Sequence, residues 1–148
     1  MTKFVIGVDP DSDKNGVAIF NDGRLVNLEV MYSHKLYEFL KDLRNAGTVT
    51  VSIEDLTGVG TFQQRVNRAT NIKTALKMAE SVGKCKQAQI ETMRICDELG
   101  IRVVTQKPSK RWKSQEEKKL FERATGWTSR SNEETRSAAF MGFLETRN

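Results

Sequence analysis

With one histidine and two cysteines among 148 residues, the chain lacks the raw material for several kinds of active site. Cys85 and Cys96 cannot form a disulfide framework, and neither has a neighbour at zinc-ligand spacing. His34 stands at the start of an apolar periodic segment, as a surface or capping residue would. No second histidine or nucleophile elbow supports a Ser–His–Asp or Cys–His arrangement. A Walker-type glycine loop is missing too. No apolar run approaches the roughly 18 residues that cross a bilayer. The N-terminal run from Phe4 to Val8 is too short, and meets Asp9 too soon, to read as a secretory signal. The expectation is a reduced, cytoplasmic protein without a membrane partner, whose chemistry uses a metal-activated water rather than a side-chain nucleophile.

What is present describes a folded domain. Hydrophobic residues make up 38% and charged residues 29% of the chain, and the length suits a single core over residues 1–148. The net charge of +5 is unevenly spread: residues 1–60 carry six Lys/Arg against nine Asp/Glu, and residues 61–148 carry eighteen against ten. An acidic first part joined to a basic remainder suits a carboxylate site within a surface that attracts polyanions, although surplus surface lysine gives the same balance.

Lys3–Val8 reads as a buried strand stopped at Asp9-Pro10. Val17–Phe20 and Leu25–Met31 follow as strands around the Asn21-Asp22-Gly23 hairpin turn. Leu36, Phe39, Leu40 and Leu43 form a helical stripe ending before Gly47, and Thr48–Ile53 is a fourth strand ending at Glu54-Asp55. A Thr/Gly/Gln-rich loop, Thr57–Gln64, precedes two helices. The first begins near Asn71, carries Ile72, Ala75, Leu76 and Ala79 on one face and is punctuated by Gly83; the second holds Ile90, Met93 and Ile95-Cys96. Ile101–Thr105 is a fifth strand, a short helix surrounds Leu120-Phe121, and a last helix runs from near Ser131 to Leu144. The order β-β-β-α-β-α-α-β-α-α predicts an α/β fold, with a mixed sheet and helices packed on its faces.

Three acidic positions fall at the ends of these elements. Asp9 closes the first strand, Glu54 closes the fourth, and Glu133-Glu134 open the last helix. If the first and fourth strands are neighbours, Asp9 and Glu54 emerge at one sheet edge, and a helix start crossing that edge adds further carboxylates. Such a cluster is costly without a cation, and oxygen-only ligands suit magnesium or manganese. Each acid also has a structural explanation: Asp9 as a turn residue, Glu54 as an exposed strand end, and Glu134 as the third residue of a capping box begun by Ser131. Asp9, Asp11, Asp13 and Asn15-Gly16 imitate the start of an EF-hand loop. Lys14 stands where that loop needs glycine and Phe20 where it needs glutamate, so the reading fails.

The basic side is coherent. Lys107, Lys110, Arg111, Lys113, Lys118 and Lys119 surround Trp112, and Arg65 and Arg68 lie beyond the glycine-containing loop. Positive residues around an aromatic fit contact with a phosphate backbone, although a solvated surface and a core tryptophan account for the same run. Phe62, a large apolar residue in a polar loop, is either tucked against the core or offered to a base.

Phe4-Val5-Ile6-Gly7-Val8-Asp9-Pro10, with Gly16 a turn later, resembles the first motif of the RuvC-type Holliday junction resolvases, and Val51-Ser52-Ile53-Glu54 resembles the second. Asn71 to Gln89 is similar to the helix through which such enzymes pair. Glu133-Glu134-Thr135-Arg136-Ser137-Ala138-Ala139 stands where the family has its C-terminal acidic helix. The motifs come in matching order over nearly the whole chain, and the compact length is similar to that of bacteriophage members. Actin-like and sugar kinases share the first motif, but they need two such domains.

The resemblance implies an RNase H-like five-stranded sheet, three strands antiparallel and then two parallel, with helices on both faces. It implies a homodimer that nicks four-way DNA junctions symmetrically with Mg2+, Mn2+ substituting, and forks and flaps as further candidate substrates. The products would carry 5′-phosphates. By position, Asp9, Glu54 and Glu134 would be catalytic metal ligands, with Glu133 as the alternative to Glu134. Lys107, Lys110, Arg111, Lys113, Lys118, Arg65 and Arg68 would hold DNA, and Phe62 would probe the branch point. Ser137 stands at a metal-ligand position that is aspartate in the family. Either a second ion is short of a carboxylate, or Glu133 supplies one, or the protein is a catalytically weakened branched-DNA-binding module. The loop Asp55–Thr70 is longer than in bacterial members, so no sequence preference carries over. A nuclease for structured RNA and a plain interaction protein are the remaining readings.

Overall fold

The computed structural model of the chain describes residues 1–11, 14–55 and 72–148. Five strands make one sheet: β1 (Thr2–Asp9), β2 (Asn15–Asn21), β3 (Arg24–Met31), β4 (Gly47–Glu54) and β5 (Arg102–Gln106). Their order is β3-β2-β1-β4-β5. β1, β2 and β3 pair antiparallel, whereas β4 joins parallel to β1 and β5 parallel to β4. The mixed sheet expected from the sequence is therefore the observed one. Its hairpin turns at Asp22 and Gly23, both in the left-handed region at φ 48° and 86°, where the turn's twist matches the strands.

The parallel strands are reached through helices, because a parallel connection must return to the sheet's starting edge. α1 (Ser33–Leu43) leads to β4, and α2 (Ile72–Leu99) leads to β5. After β5 come a short 3-10 turn (Gln115–Glu117), α3 (Lys118–Thr125) and α4 (Glu133–Thr146). Alternation along the strands divides the core in two. Ile6, Val8, Val17 and Val51 face Leu36 and Leu40 of α1 and Cys96 and Leu99 of α2. Val5, Ala18 and Phe20 face Ala138 and Ala139 of α4, with Trp112 and Phe121 beside them. Helices thus cover both faces.

Two local expectations are corrected. Residues 72–99 form one helix, not two broken at Gly83. A glycine inside a helix costs about 1 kcal/mol relative to alanine, too little to end a helix held by tertiary packing. The last helix is capped by Asn132 rather than Ser131, with Thr135 completing the reciprocal capping box. The Asn132 side chain accepts from Thr135 N–H at 2.8 Å, and the Thr135 hydroxyl accepts from Asn132 N–H at 2.9 Å. Ser131 is left to receive Arg136, as described below.

Candidate active site

The site begins with register. Parallel pairing sets Val8 beside Ile53, so the next residues, Asp9 and Glu54, leave β1 and β4 at the same sheet edge. Alternation puts Asp9 on the face of Val5 and Gly7, the side covered by α4. Ser52, two residues before Glu54, confirms the same face for β4: its hydroxyl donates to the Met141 carbonyl of α4 at 2.8 Å.

Glycine lets α4 come this close. A Cβ on Gly7 would overlap the Ala138 carbonyl, and a Cβ on Gly16 would overlap the backbone of Glu134. Gly16 is the antiparallel partner of Asp9, so the first turn of α4 lies directly beside that aspartate. One turn on, the Ser137 hydroxyl donates a hydrogen bond to the Asp9 carboxylate. Both residues are buried, Asp9 at 9% exposure and Ser137 at 4%.

Burial dominates the electrostatics of Asp9. Removal from water pushes its carboxyl up to about 7, with smaller increases from the negative charges of Glu54 and Asp11. The Lys113 ammonium and the Ser137 hydrogen bond act in the opposite direction. Glu54 is half-buried, and its Oε1 accepts the Ser109 N–H at 3.0 Å. A buried carboxylate is costly to ionise, chiefly through lost hydration and further through the neighbouring Glu54, and a bound cation would offset that cost.

The basic segment after β5 is fastened to this edge at two points. Ser109 is tied to Glu54, and Arg136 of α4 grips the turn that follows. Arg136 is 2% exposed. Its Nε donates to the Trp112 carbonyl at 2.9 Å, its Nη2 to the Lys113 carbonyl at 2.9 Å, and its Nη1 to the Ser131 hydroxyl at 3.0 Å. Trp112 takes a left-handed backbone, φ 67°, and its ring is buried against Phe121, Phe140 and Phe143. Trp112 is thus a core anchor rather than a surface for DNA. Sequence reasoning gave Arg136 and Ser109 no part in the site. The signal was an arginine directly before the small-residue run Ser137-Ala138-Ala139, which is hard to bury without dedicated acceptors.

The remaining expected residues distribute as follows. Glu134 is half-buried and Glu133 exposed, both in the first turn of α4. Lys107, Lys110, Arg111 and Lys113 are exposed and Lys118 half-buried, with Arg111 Nε 3.6 Å from Glu117 Oε1. Phe62, Arg65, Arg68 and the loop Thr57–Gln64 lie outside the described residues. His34 is exposed and stacks on Tyr32. Among the described residues, no group of three or more His, Cys, Asp or Glu side chains is gathered to hold a metal ion. The donor set nevertheless fits one hard divalent cation, since magnesium commonly binds one or two carboxylates and completes its shell with water and substrate phosphate. Asp9 and Glu54 are the residues that would hold it.

Among solved structures, Thermus thermophilus RuvC in complex with a Holliday junction substrate matches with a TM-score of 0.60 at 14% identity, covering 95% of this chain and 90% of that one. A further Thermus thermophilus RuvC structure matches with a TM-score of 0.58 at 16% identity, covering 97% of this chain and 92% of that one. The chain has the RuvC-like, RNase H-like fold. No family model matches the sequence, and no curated protein matches it. At this identity the likeness is one of architecture, and the RuvC-like fold places Asp9 and Glu54 at neighbouring strand ends without fixing what they do. No helix among the described residues is long and apolar enough to cross a membrane.

Proposed function

We propose that the protein is a divalent-metal-dependent endonuclease that nicks branched DNA, four-way junctions first and forks and flaps with them, acting as a homodimer. The observation that carries this reading is the Asp9–Glu54 pair at the edge of a RuvC-like sheet, with α4 delivering Glu134 and Ser137 beside it. A bound Mg2+ or Mn2+ would supply Lewis-acid activation of water and neutralise charge at the scissile phosphate. Asp9 and Glu54 would hold the cation, Ser137 orients Asp9, and Glu134 is the nearby acid of α4, with Glu133 its neighbour. Lys110, Lys113 and Lys118, with Lys107 and Arg111, present positive charge to the phosphate backbone along the segment fastened at Ser109 and Trp112. Hydrolysis would leave 5′-phosphate and 3′-hydroxyl ends.

The pairing surface is the outer face of α2. Leu76 is 66% exposed, and Ile90 and Met93 line a groove of about 500 Å3 with Arg94, Asp97, Ile101 and Val103. A two-fold dimer through α2 would set two sites on a four-way junction, giving paired nicks.

The test is cleavage of labelled four-way DNA and of plain duplex, with and without Mg2+ or Mn2+. Metal-dependent nicks near the branch point are expected from the native chain. Asp9→Asn is expected to lose at least a hundredfold in rate while keeping junction binding; undiminished nicking by that variant removes the role of Asp9. A second reading is favoured by the neutral Ser137 in contact with Asp9: a branched-DNA-binding module that no longer cuts. Tight junction binding with no cleavage in either metal would select it. A preference for RNA over DNA junctions would select a structured-RNA nuclease.

A further inference from the structure

The positive charge of the chain is gathered in one stretch. Residues 107–130 carry eight Lys/Arg against three Asp/Glu, a surplus of five that equals the net charge of the whole chain; the other residues balance at sixteen against sixteen. The DNA contact proposed above ends at Lys118. Beyond it, α3 and the turn that follows carry Lys119, Arg123 and Arg130.

This second half holds a cleft of about 480 Å3, lined by Lys119, Glu122, Arg123, Gly126, Trp127 and Thr128. Lys119 and Arg123 stand four residues apart and share one face of α3, both exposed, while Phe121 between them is buried on the other side. Among the described residues neither cation is paired with a carboxylate. Two cations against one acid give the cleft a positive rim. Gly126 ends α3 at φ 75°, and the chain turns there to bring Trp127 to the cleft.

Trp127 is held in three ways. Its backbone N–H donates to the Thr125 hydroxyl at 3.2 Å, its indole Nε1 donates to the Arg130 carbonyl at 3.0 Å, and its ring packs against the cluster of Trp112 and Phe121. The residue is still only half-buried and lines the cleft. An indole has a single hydrogen-bond donor, and here the protein itself takes it. What remains for a ligand is apolar ring surface, already fixed in place, so that little freedom is lost on binding. A rigid aromatic beside two cations is the chemistry that receives a base and its flanking phosphates. Bases within a duplex are stacked on one another, so the fitting ligand is an unpaired nucleotide.

We propose that the cleft of Lys119, Arg123 and Trp127 is a subsite for single-stranded DNA, in which the indole stacks on an unpaired base and the two cations hold the phosphates beside it. The proposal rests on the branched-DNA reading and names the part of the substrate concerned: the single-stranded arm of a fork or flap, which a fully paired four-way junction does not supply. Because the indole N–H is used internally, the ring reads no base sequence.

The chain has two tryptophans, and Trp112 is 3% exposed, so intrinsic fluorescence distinguishes the core ring from the one in the cleft. The full chain is titrated in chelator with a thymidine oligonucleotide, and its affinities for a labelled fork and a labelled blunt duplex are compared by anisotropy. The oligonucleotide is expected to quench the native emission. Trp127→Phe is expected to lose the quenching and still bind the oligonucleotide, because phenylalanine also stacks. Trp127→Leu is expected to lower the ratio of fork to duplex affinity by about fivefold or more. Lys119→Gln combined with Arg123→Gln is expected to lower the same ratio with unchanged melting, which a role in the fold alone would not do. If Trp127→Leu does not fold, the native titration and the double variant decide. Unquenched native emission, quenching that persists in Trp127→Phe, or an unchanged affinity ratio in the variants overturns the proposal. Quenching without metal-dependent cleavage of any branched DNA removes the nuclease reading and leaves the subsite standing; cleavage without quenching does the reverse.

Discussion

Asp9 is the residue on which physics places the most stress. Its folded carboxyl titrates at about 7, against 3.8 for the ordinary group, chiefly because it is buried. The native state therefore binds a proton more readily than the unfolded chain between those values. The associated stability is fully present below about 4 and is lost as pH rises through about 7. Asp9→Asn cannot lose it. In metal-free buffer the variant is expected to melt progressively higher than the native chain as pH is raised from 4 to 7, with the gap constant beyond. Thermal unfolding in chelator across that range checks the sign, and a pH-independent gap would refute it. Cys96 is a second instance of burial acting alone, which pushes its thiol up to about 12. It is expected to resist alkylation in the folded protein and to react once the protein is unfolded, as mass spectrometry after labelling would show.

Two glycines show how an element's surroundings decide what one residue contributes. Gly83 lies in α2 with open space where a Cβ would go. Gly83→Ala is expected to stabilise the protein by about 0.5–1 kcal/mol, through helix propensity and a smaller loss of backbone entropy. Gly7 sits under α4, where a Cβ would meet the Ala138 carbonyl. Gly7→Ala is expected to destabilise by more than about 3 kcal/mol, because two backbones must separate rather than one side chain rotate. Chemical denaturation of the two variants should move the midpoint in opposite directions. The α4–β1 contact also sets the site, so any Gly7 variant that folds is expected to lose junction cleavage with the shift of Ser137 and Glu134.

At the scale of the whole molecule, the charge asymmetry becomes a geometry. The acids end the central strands, while the basic segment crosses the same edge, fastened by Glu54 and Arg136. Binding to junction DNA is expected to weaken steeply with salt, and Lys110→Gln to reduce the slope of log affinity against log salt by about one. Equilibrium binding at several salt concentrations measures this directly. Replacing Ile90 and Met93 together by aspartate is expected to give monomers in sedimentation with little change in melting, since both side chains are 37% exposed on the single chain. Retention of a dimer would move the pairing surface elsewhere.

The sequence by itself determined the strands and the strand-end positions of Asp9 and Glu54, because apolar periodicity and turn chemistry act over a few residues, whereas their sharing of one edge depended on the pairing of β1 with β4. It also marked Ser137 as a neutral residue in an acidic helix start. Local signals misplaced two boundaries: Gly83 reads as a break when a helix is judged alone, and Ser131 fits a cap that Asn132 fills. Only the tertiary structure decided that Trp112 is core, that Ser109 binds Glu54, and that Arg136 spans from α4 to the turn bearing Lys113. Those contacts join residues 23 to 55 positions apart. No short-range pattern encodes them; they follow from a glycine-lined β1 that lets α4 lie close to the sheet, and from a buried guanidinium that must find acceptors wherever the fold supplies them.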